Sequence, residues 1–181
     1  NYLPRRYNNI IEIDSPVLIG IFNDAGSDVI IKWKKPDSSN IQNIKIYIGT
    51  DGESYNVGAS VSASSGQTTL TGLTSGILYY INATYSDSSG REGLYSKDYA
   101  IIPNSSSAKS DVLIIDDEKR YGSHNIVKYY APSLLNAGYY FDVCSAEAIT
   151  GDTVNLSDYW TAVWFTGRGS STGGDTSLNA S

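Results

Sequence analysis

The sequence predicts a mostly β chain, an antiparallel β-sandwich followed by a partial α/β unit with a parallel sheet. Three observations predict it. Between Ser15 and Pro103, short apolar runs recur between turn-forming residues, the spacing of a two-layer sandwich. After the Ser-rich stretch 104–110, alternation gives way to the continuous run Val112-Leu113-Ile114-Ile115 closed by acids, as in a strand buried on both faces. The composition, with 15 Tyr and only 18% charged residues in 181, suits half-buried pleated surfaces.

Each element has its own warrant. Asn1 to Asp14 reads as a lead-in in which Ile10, Ile11 and Ile13 favour a short strand. Val17 to Phe22 forms the first sandwich strand, closed by Asn23-Asp24-Ala25-Gly26. Val29, Ile31 and Trp33 alternate with Ile30, Lys32 and Lys34, the period of a strand with one buried face. Pro36-Asp37-Ser38-Ser39-Asn40 ends that strand, and Ile44, Ile46 and Ile48 begin the alternation again up to Gly49-Thr50-Asp51-Gly52. Tyr55 to Val61, Thr68 to Leu70, Leu78 to Tyr85 and Leu94 to Ile102 complete the set, with Asp87-Ser88-Ser89-Gly90 as the last turn and Pro103 as a stop.

Trp33 follows Val29 and Ile31 on the second strand, and Leu70-Thr71-Gly72-Leu73-Thr74-Ser75-Gly76-Ile77-Leu78-Tyr79 places Leu73 six positions before Tyr79. In these residues the segment 15–103 resembles the fibronectin type III domain, with Trp33 as the core tryptophan and Leu73 and Tyr79 at the corner between sheets. The resemblance implies a hydrogen bond from the Tyr79 hydroxyl to nearby backbone, and Ile81 and Ala83 facing inward. Ser75 stands where the family usually has proline.

Beyond the linker, Asp111 to Asp117 reads as a parallel strand. A helix follows that carries Ile126, Val127, Tyr130, Leu134 and Leu135, with Ser123 as its cap and Gly138 as its end signal. Pro132 within it is expected to kink the helix or start a second one. Tyr140 to Val143 and Thr161 to Phe165 supply two further strands, with a helical turn at Leu156 to Tyr159. Right-handed crossovers predict the order second-first-third, with both outer strands left as edges. The unit 111–181 is therefore expected to be the N-terminal part of a larger domain, or to have its edge covered by neighbouring copies. Val112 to Asp117, Tyr129-Tyr130, Leu134 to Tyr139, Phe141-Asp142-Val143 and Val163 to Gly167 resemble a flavodoxin-like, glutamine-amidotransferase-like domain of large secreted bacterial and archaeal proteins. That resemblance implies a companion of peptidases or polysaccharide lyases.

The net charge of -6 and pI of about 4.6 exclude electrostatic capture of nucleic acid or anionic membrane. The Lys32, Lys34 and Lys35 cluster reflects strand alternation. No apolar stretch is long enough to span a bilayer. The chain starts at Asn1 and has no Met, which reads as a processed or excised piece whose targeting signal is not shown.

Candidate chemistry is sparse. Asp116, Asp117 and Glu118 end the first parallel strand, where such sheets bind ligands, and are candidates for Mg²⁺ or Ca²⁺; no other cofactor is called for. A phosphoacceptor reading fails, because Ala162 to Gly167 offers no aspartate at the end of the third strand. Cys144, the single cysteine, and His124, the single histidine, form a candidate nucleophilic pair, but Phe141 to Ser145 lacks the glycines of a nucleophile elbow. Gly167, Arg168 and Gly169 form a candidate anion loop without the P-loop ending. Glycosylation sequons start at Asn82, Asn104, Asn155 and Asn179, and alternation expects Asn82 to point outward. No Arg-Gly-Asp triplet occurs.

The function expected is a non-catalytic spacer or protein-interaction module of a larger secreted or cell-surface protein, self-assembling through an exposed sheet edge. The alternative is an accessory region of a secreted polysaccharide lyase, hydrolase or peptidase whose catalytic domain lies elsewhere. The partner expected is protein or carbohydrate.

Overall fold

The computed structural model describes residues 13–106, 110–118 and 126–166. The chain is mostly β, with ten described strands in two sheets. The sandwich strands are β1 (Leu18–Asn23), β2 (Val29–Trp33), β3 (Ile41–Gly49), β4 (Asn56–Ser62), β5 (Gln67–Leu70), β6 (Tyr79–Asp87) and β7 (Tyr99–Ile101). The second part supplies β8 (Val112–Asp116), helix α1 (Ile126–Asn136), β9 (Phe141–Ser145), helix α2 (Ala146–Thr150) and β10 (Thr161–Phe165).

Alternation decides the sandwich interior. Val29, Ile31 and Trp33 on β2 are all buried, as are Ile44 and Ile46 on β3 and Ile81 and Ala83 on β6. Each of the fully buried Val and Ile side chains contributes roughly 1.5–3 kcal/mol. The Trp33 indole N–H would be orphaned by such burial, and it donates to the Ala63 carbonyl at 2.8 Å. Thr74 N–H donates to the Tyr79 hydroxyl at 3.2 Å across the corner, while Leu73 packs half-buried against the core. The last sandwich strand is shorter than its apolar run. The segment before it loops across β6, with Gly93 N–H on Tyr85 O at 2.9 Å and Ser96 N–H on Ala83 O at 2.7 Å, and only Tyr99–Ile101 stays in the ladder.

The second part does not stand apart. One sheet runs in the order β10-β8-β9-β1-β2-β5, and the other runs β4-β3-β6-β7. The parallel strands take the second-first-third order, with β8 between β9 and β10. The expectation that both outer strands are edges needs correction. β9 pairs antiparallel with β1 through Gly20↔Cys144 and Ile21↔Val143, so among the described strands of the parallel unit β10 alone has no neighbour on its outer side. Gly20 makes this seam feasible: a Cβ there would lie 2.9 Å from the Val143 carbonyl oxygen.

A single apolar core underlies both parts. The interior of the sandwich continues through Val112, Ile114, Phe141 and Val143 to Val127 and Ala131 of α1, so the helix takes over where the four-stranded sheet ends. The opposite face of the parallel strands buries Leu113, Ile115 and Cys144 against Ala148 of α2. Helix α1 is one helix with Pro132 inside it. It ends in a Schellman motif, Gly138 N–H on Leu135 O and Tyr139 N–H on Leu134 O, both at 3.0 Å, with Gly138 at φ 78°. Helix α2 has no counterpart in the sequence expectations, since five residues carry too little periodicity to be read.

Candidate functional site

Among the described residues, the seam between β1 and β9 and the outer side of β10 concentrate polar or exposed groups that the core does not require. The seam is built around Asp142. Alternation along β9 buries Phe141 and Val143 in one layer and turns Asp142 toward the ends of β1 and the segment before β8. Its Oδ1 accepts from Asn23 N–H at 2.9 Å, from Asn23 Nδ2 at 3.1 Å and from Ser110 Oγ at 2.7 Å. Its Oδ2 accepts from the Tyr159 hydroxyl at 2.8 Å. Asn23 extends the cluster, because its Oδ1 accepts Asn104 N–H at 2.9 Å and its Nδ2 also donates to Ser110 Oγ at 3.0 Å and Phe141 O at 3.2 Å. Burial pushes the Asp142 carboxyl above the usual carboxylate range, against the hydrogen bonds from Asn23, Ser110 and Tyr159 that hold it down. The stretch 104–110, read as a linker, is thus pinned at both described ends.

Helix α1 adds a second tie. Lys128 pairs with Asp98 at 3.3 Å, donates to the Gly52 carbonyl and lies over the Tyr80 ring at 5.9 Å. Asp98 in turn accepts from Asn82 Nδ2 at 2.7 Å. Asn82 faces away from the sandwich core, as alternation expects. The segment before β7 lies over that face of β6, and Asn82 is buried beneath it. Asn104 is buried in the seam, where its N–H meets Asn23 Oδ1. Asn155 is exposed, but its side chain caps the 3₁₀ turn 156–158 by accepting Ser157 N–H at 3.1 Å. Asn179 lies outside the described residues, as do Gly167, Arg168, Gly169, Ser123 and His124.

The acidic end of β8 is occupied by protein groups. Lys97 pairs with Asp116 Oδ2 at 3.1 Å and donates to the Glu118 carbonyl at 2.6 Å. Asp116 Oδ1 accepts Glu118 N–H at 2.9 Å, and Asp117 Oδ2 accepts the Trp164 indole N–H at 3.3 Å. Asp116, Asp117 and Glu118 therefore point to different tasks, and among the described residues no three His, Cys, Asp or Glu side chains converge on a metal-sized site. Cys144 is buried with no exposure. Burial first, then the carboxylates of Asp142 and Asp116, push its thiol up to about 12, so the thiolate is scarce at neutral pH.

The open edge is different in kind. β10 pairs in parallel with β8 on one side, and among the described residues no strand lies on the other. Thr161 N–H donates to Asp111 O at 3.2 Å, and Phe165 O accepts Asp117 N–H at 2.8 Å. Strand alternation then directs the backbone groups of residues 161, 163 and 165 toward β8 and those of Ala162 and Trp164 outward. The run Trp160 to Thr166 contains no charge, Trp160 is 91% exposed and Trp164 41%. The Tyr130 ring covers Phe165 from the helix side at 4.3 Å.

Sequence reasoning missed the seam residues Asn23, Ser110, Asp142 and Tyr159 as a group, and Lys97 and Lys128 as ties between the parts. The one available signal was the isolated aspartate in an otherwise apolar strand, Phe141-Asp142-Val143-Cys144, since a lone buried acid requires donors.

No family model matches the chain, and no curated protein matches it. Among solved structures, it is similar to a β-1,2-glucanase from Parabacteroides distasonis, at 22% identity and a TM-score of 0.47 over 52% of this chain and 13% of that one. It is similar to the FN1–FN3 domains of chicken CNTN1, at 18% identity and a TM-score of 0.46 over 51% of this chain and 32% of that one. It is also similar to an fn3 domain of human contactin 1, at 15% identity and a TM-score of 0.46 over 52% of this chain and 80% of that one. The structural neighbours of this chain thus include fibronectin type III domains, matched over about half its length.

Proposed function

We propose that the chain is a non-catalytic spacer and protein-interaction module of a larger extracellular protein, in which a fibronectin type III-like sandwich and a flavodoxin-like parallel unit move as one body. The observation that carries this reading is the six-stranded sheet that crosses from one part to the other, locked by the Asn23–Asp142 cluster at the crossing. A shared sheet, a shared core and the Lys128–Asp98 pair tie the two parts together at several points among the described residues, which favours motion as one body. Asp116 pairs with Lys97, Asp117 accepts from Trp164, and Cys144 is an interior side chain. The low charge and the Tyr- and Ser-rich composition favour an extracellular setting.

The test is rotational. Backbone ¹⁵N relaxation should give one correlation time for β3–β6 and β8–β9, and thermal unfolding should be a single transition by near-UV and far-UV circular dichroism. Two correlation times, or two transitions, would overturn the proposal.

A further inference from the structure

The sandwich by itself carries the chain from one pole of the molecule to the other. The chain enters β1 at Leu18 and leaves the sandwich at Asn104, whose N–H donates to Oδ1 of Asn23 at 2.9 Å, at the far end of β1. Gly76 N–H on Pro103 O at 3.0 Å ties the same exit to the corner between β5 and β6. The second part reverses this path. β9 is antiparallel to β1, β8 is parallel to β9 and β10 is parallel to β8, so β10 runs against β1 and ends at the pole where β1 begins. Phe165 faces Asp116, and Asp116 faces Ser145. The register of Gly20↔Cys144 and Ile21↔Val143, continued by one residue, sets Ile19 opposite Ser145. Phe165 and Ile19 therefore share one row of the sheet, three strand steps or about 14 Å apart.

We propose that β8, β9 and β10 act as a return arm, which makes this body a lateral branch of the larger protein instead of a link in line. This rests on the reading of the chain as a module of a larger protein, and it specifies the distance that the spacer sets. The sandwich alone would hold its flanking segments apart by its own length, ~30 Å for the nine-residue β3. With the return arm, the chain arrives at Val17 and departs at Thr166 on one pole. Sheet twist of ~20–25° per strand turns β10 by roughly 60–75° from strictly antiparallel to β1, so arrival and departure diverge as an acute V. The Asp142 cluster and the Lys128–Asp98 pair hold the arm against the sandwich, so packing fixes the angle. The opposite pole, with the turn after β1 and the Leu73–Tyr79 corner, projects away from the flanking chain.

Paired spin labels on the intact chain read this path. Val17→Cys is combined with Thr166→Cys in one variant and with Ser105→Cys in another; all three positions are exposed, and the buried Cys144 stays unlabelled. Double electron–electron resonance should place Thr166 about 15–20 Å from Val17 at the backbone. Ser105 should lie farther away, because β1 from Val17 to Asn23 spans ~20 Å before the sandwich exit is reached. The exposed Ser15→Cys replaces Val17→Cys if that variant misfolds. With one folded reporter fused at each end of the intact chain, small-angle X-ray scattering should show three bodies in a bent arrangement. Thr166 as the more distant label, or three bodies in a straight row, would overturn the proposal. A single correlation time with Thr166 the more distant label sinks the return arm alone. Two correlation times with Thr166 the nearer label sink the one-body reading alone.

Discussion

Replacing Asp142 tests whether the seam is held by hydrogen-bond acceptance or by charge. In Asp142→Ala, Ser110 Oγ and Asn23 Nδ2 still have each other at 3.0 Å, and Nδ2 keeps Phe141 O at 3.2 Å. Asn23 N–H, the Ser110 hydroxyl and the Tyr159 hydroxyl lose the acceptor that they have at 2.9, 2.7 and 2.8 Å. Each buried donor left without a partner costs about 1–3 kcal/mol. Release of the carboxylate from its buried site offsets part of that, which leaves a net loss of about 3 kcal/mol, or roughly 6–12 °C in Tm for a chain of this size. Asp142→Asn behaves differently. Its amide oxygen can take the place of Oδ1 and its Nδ2 can donate to the Tyr159 oxygen, so the loss stays within about 1 kcal/mol. The pH dependence follows from burial. A carboxyl raised in the folded state contributes fully in its protonated form below the ordinary carboxylate value, and that contribution is lost as pH rises through the raised value. Asp142→Asn cannot ionise, so it should gain on the wild type as pH rises across that window. Urea denaturation followed by Trp fluorescence, at acid and neutral pH, measures all three chains. An Asn variant as damaged as the Ala variant would refute the reasoning, because charge would then matter more than acceptance.

Further perturbations probe other elements. Gly20→Val forces a Cβ within 2.9 Å of the Val143 carbonyl oxygen, so hydrogen exchange at β9 amides should quicken at least tenfold, while β3 and β6 amides change less. Asp87 accepts from Ser89 Oγ, Arg91 Nε and the backbone of both residues, and is held down to about 2 chiefly by Ser89 and then by Arg91. Its stabilisation of the turn is therefore present above the ordinary carboxylate value and lost as pH falls through about 2, and the Asp87 carboxyl ¹³C shift should titrate there. Cys144 should fail to react with a thiol reagent at pH 8 in the native chain and react at once in denaturant; fast native reaction would contradict its burial.

The parts legible in the sequence were those governed by local period. Val29-Ile31-Trp33 must alternate wherever the strand sits, and the Leu73–Tyr79 corner was legible through its resemblance to the fibronectin type III pattern. The order of β8, β9 and β10 followed from the handedness of crossovers. What could not be read depends on which strand lies beside which. Asn82 faces away from the sandwich core as alternation requires, yet it is buried because Asp98 and Lys128 arrive from 16 and 46 positions along the chain to cover it. Ser110 looks like one more linker serine until β9 brings Asp142 to it. The pairing of β1 with β9 joins residues more than 120 positions apart, and nothing in Gly20 except its small size announces it.

The position of β1 between β2 and β9 also carries a timetable. A ribosome making this chain releases the sandwich first, with β1 at its border and one flank unpaired. β9 is completed about forty residues after Pro103, which at ~5–20 residues per second leaves that flank open for roughly 2–8 s. During those seconds Leu18–Asn23 is the place where a nascent chain could join a neighbour on the same message, and the arrival of Phe141–Ser145 ends the exposure.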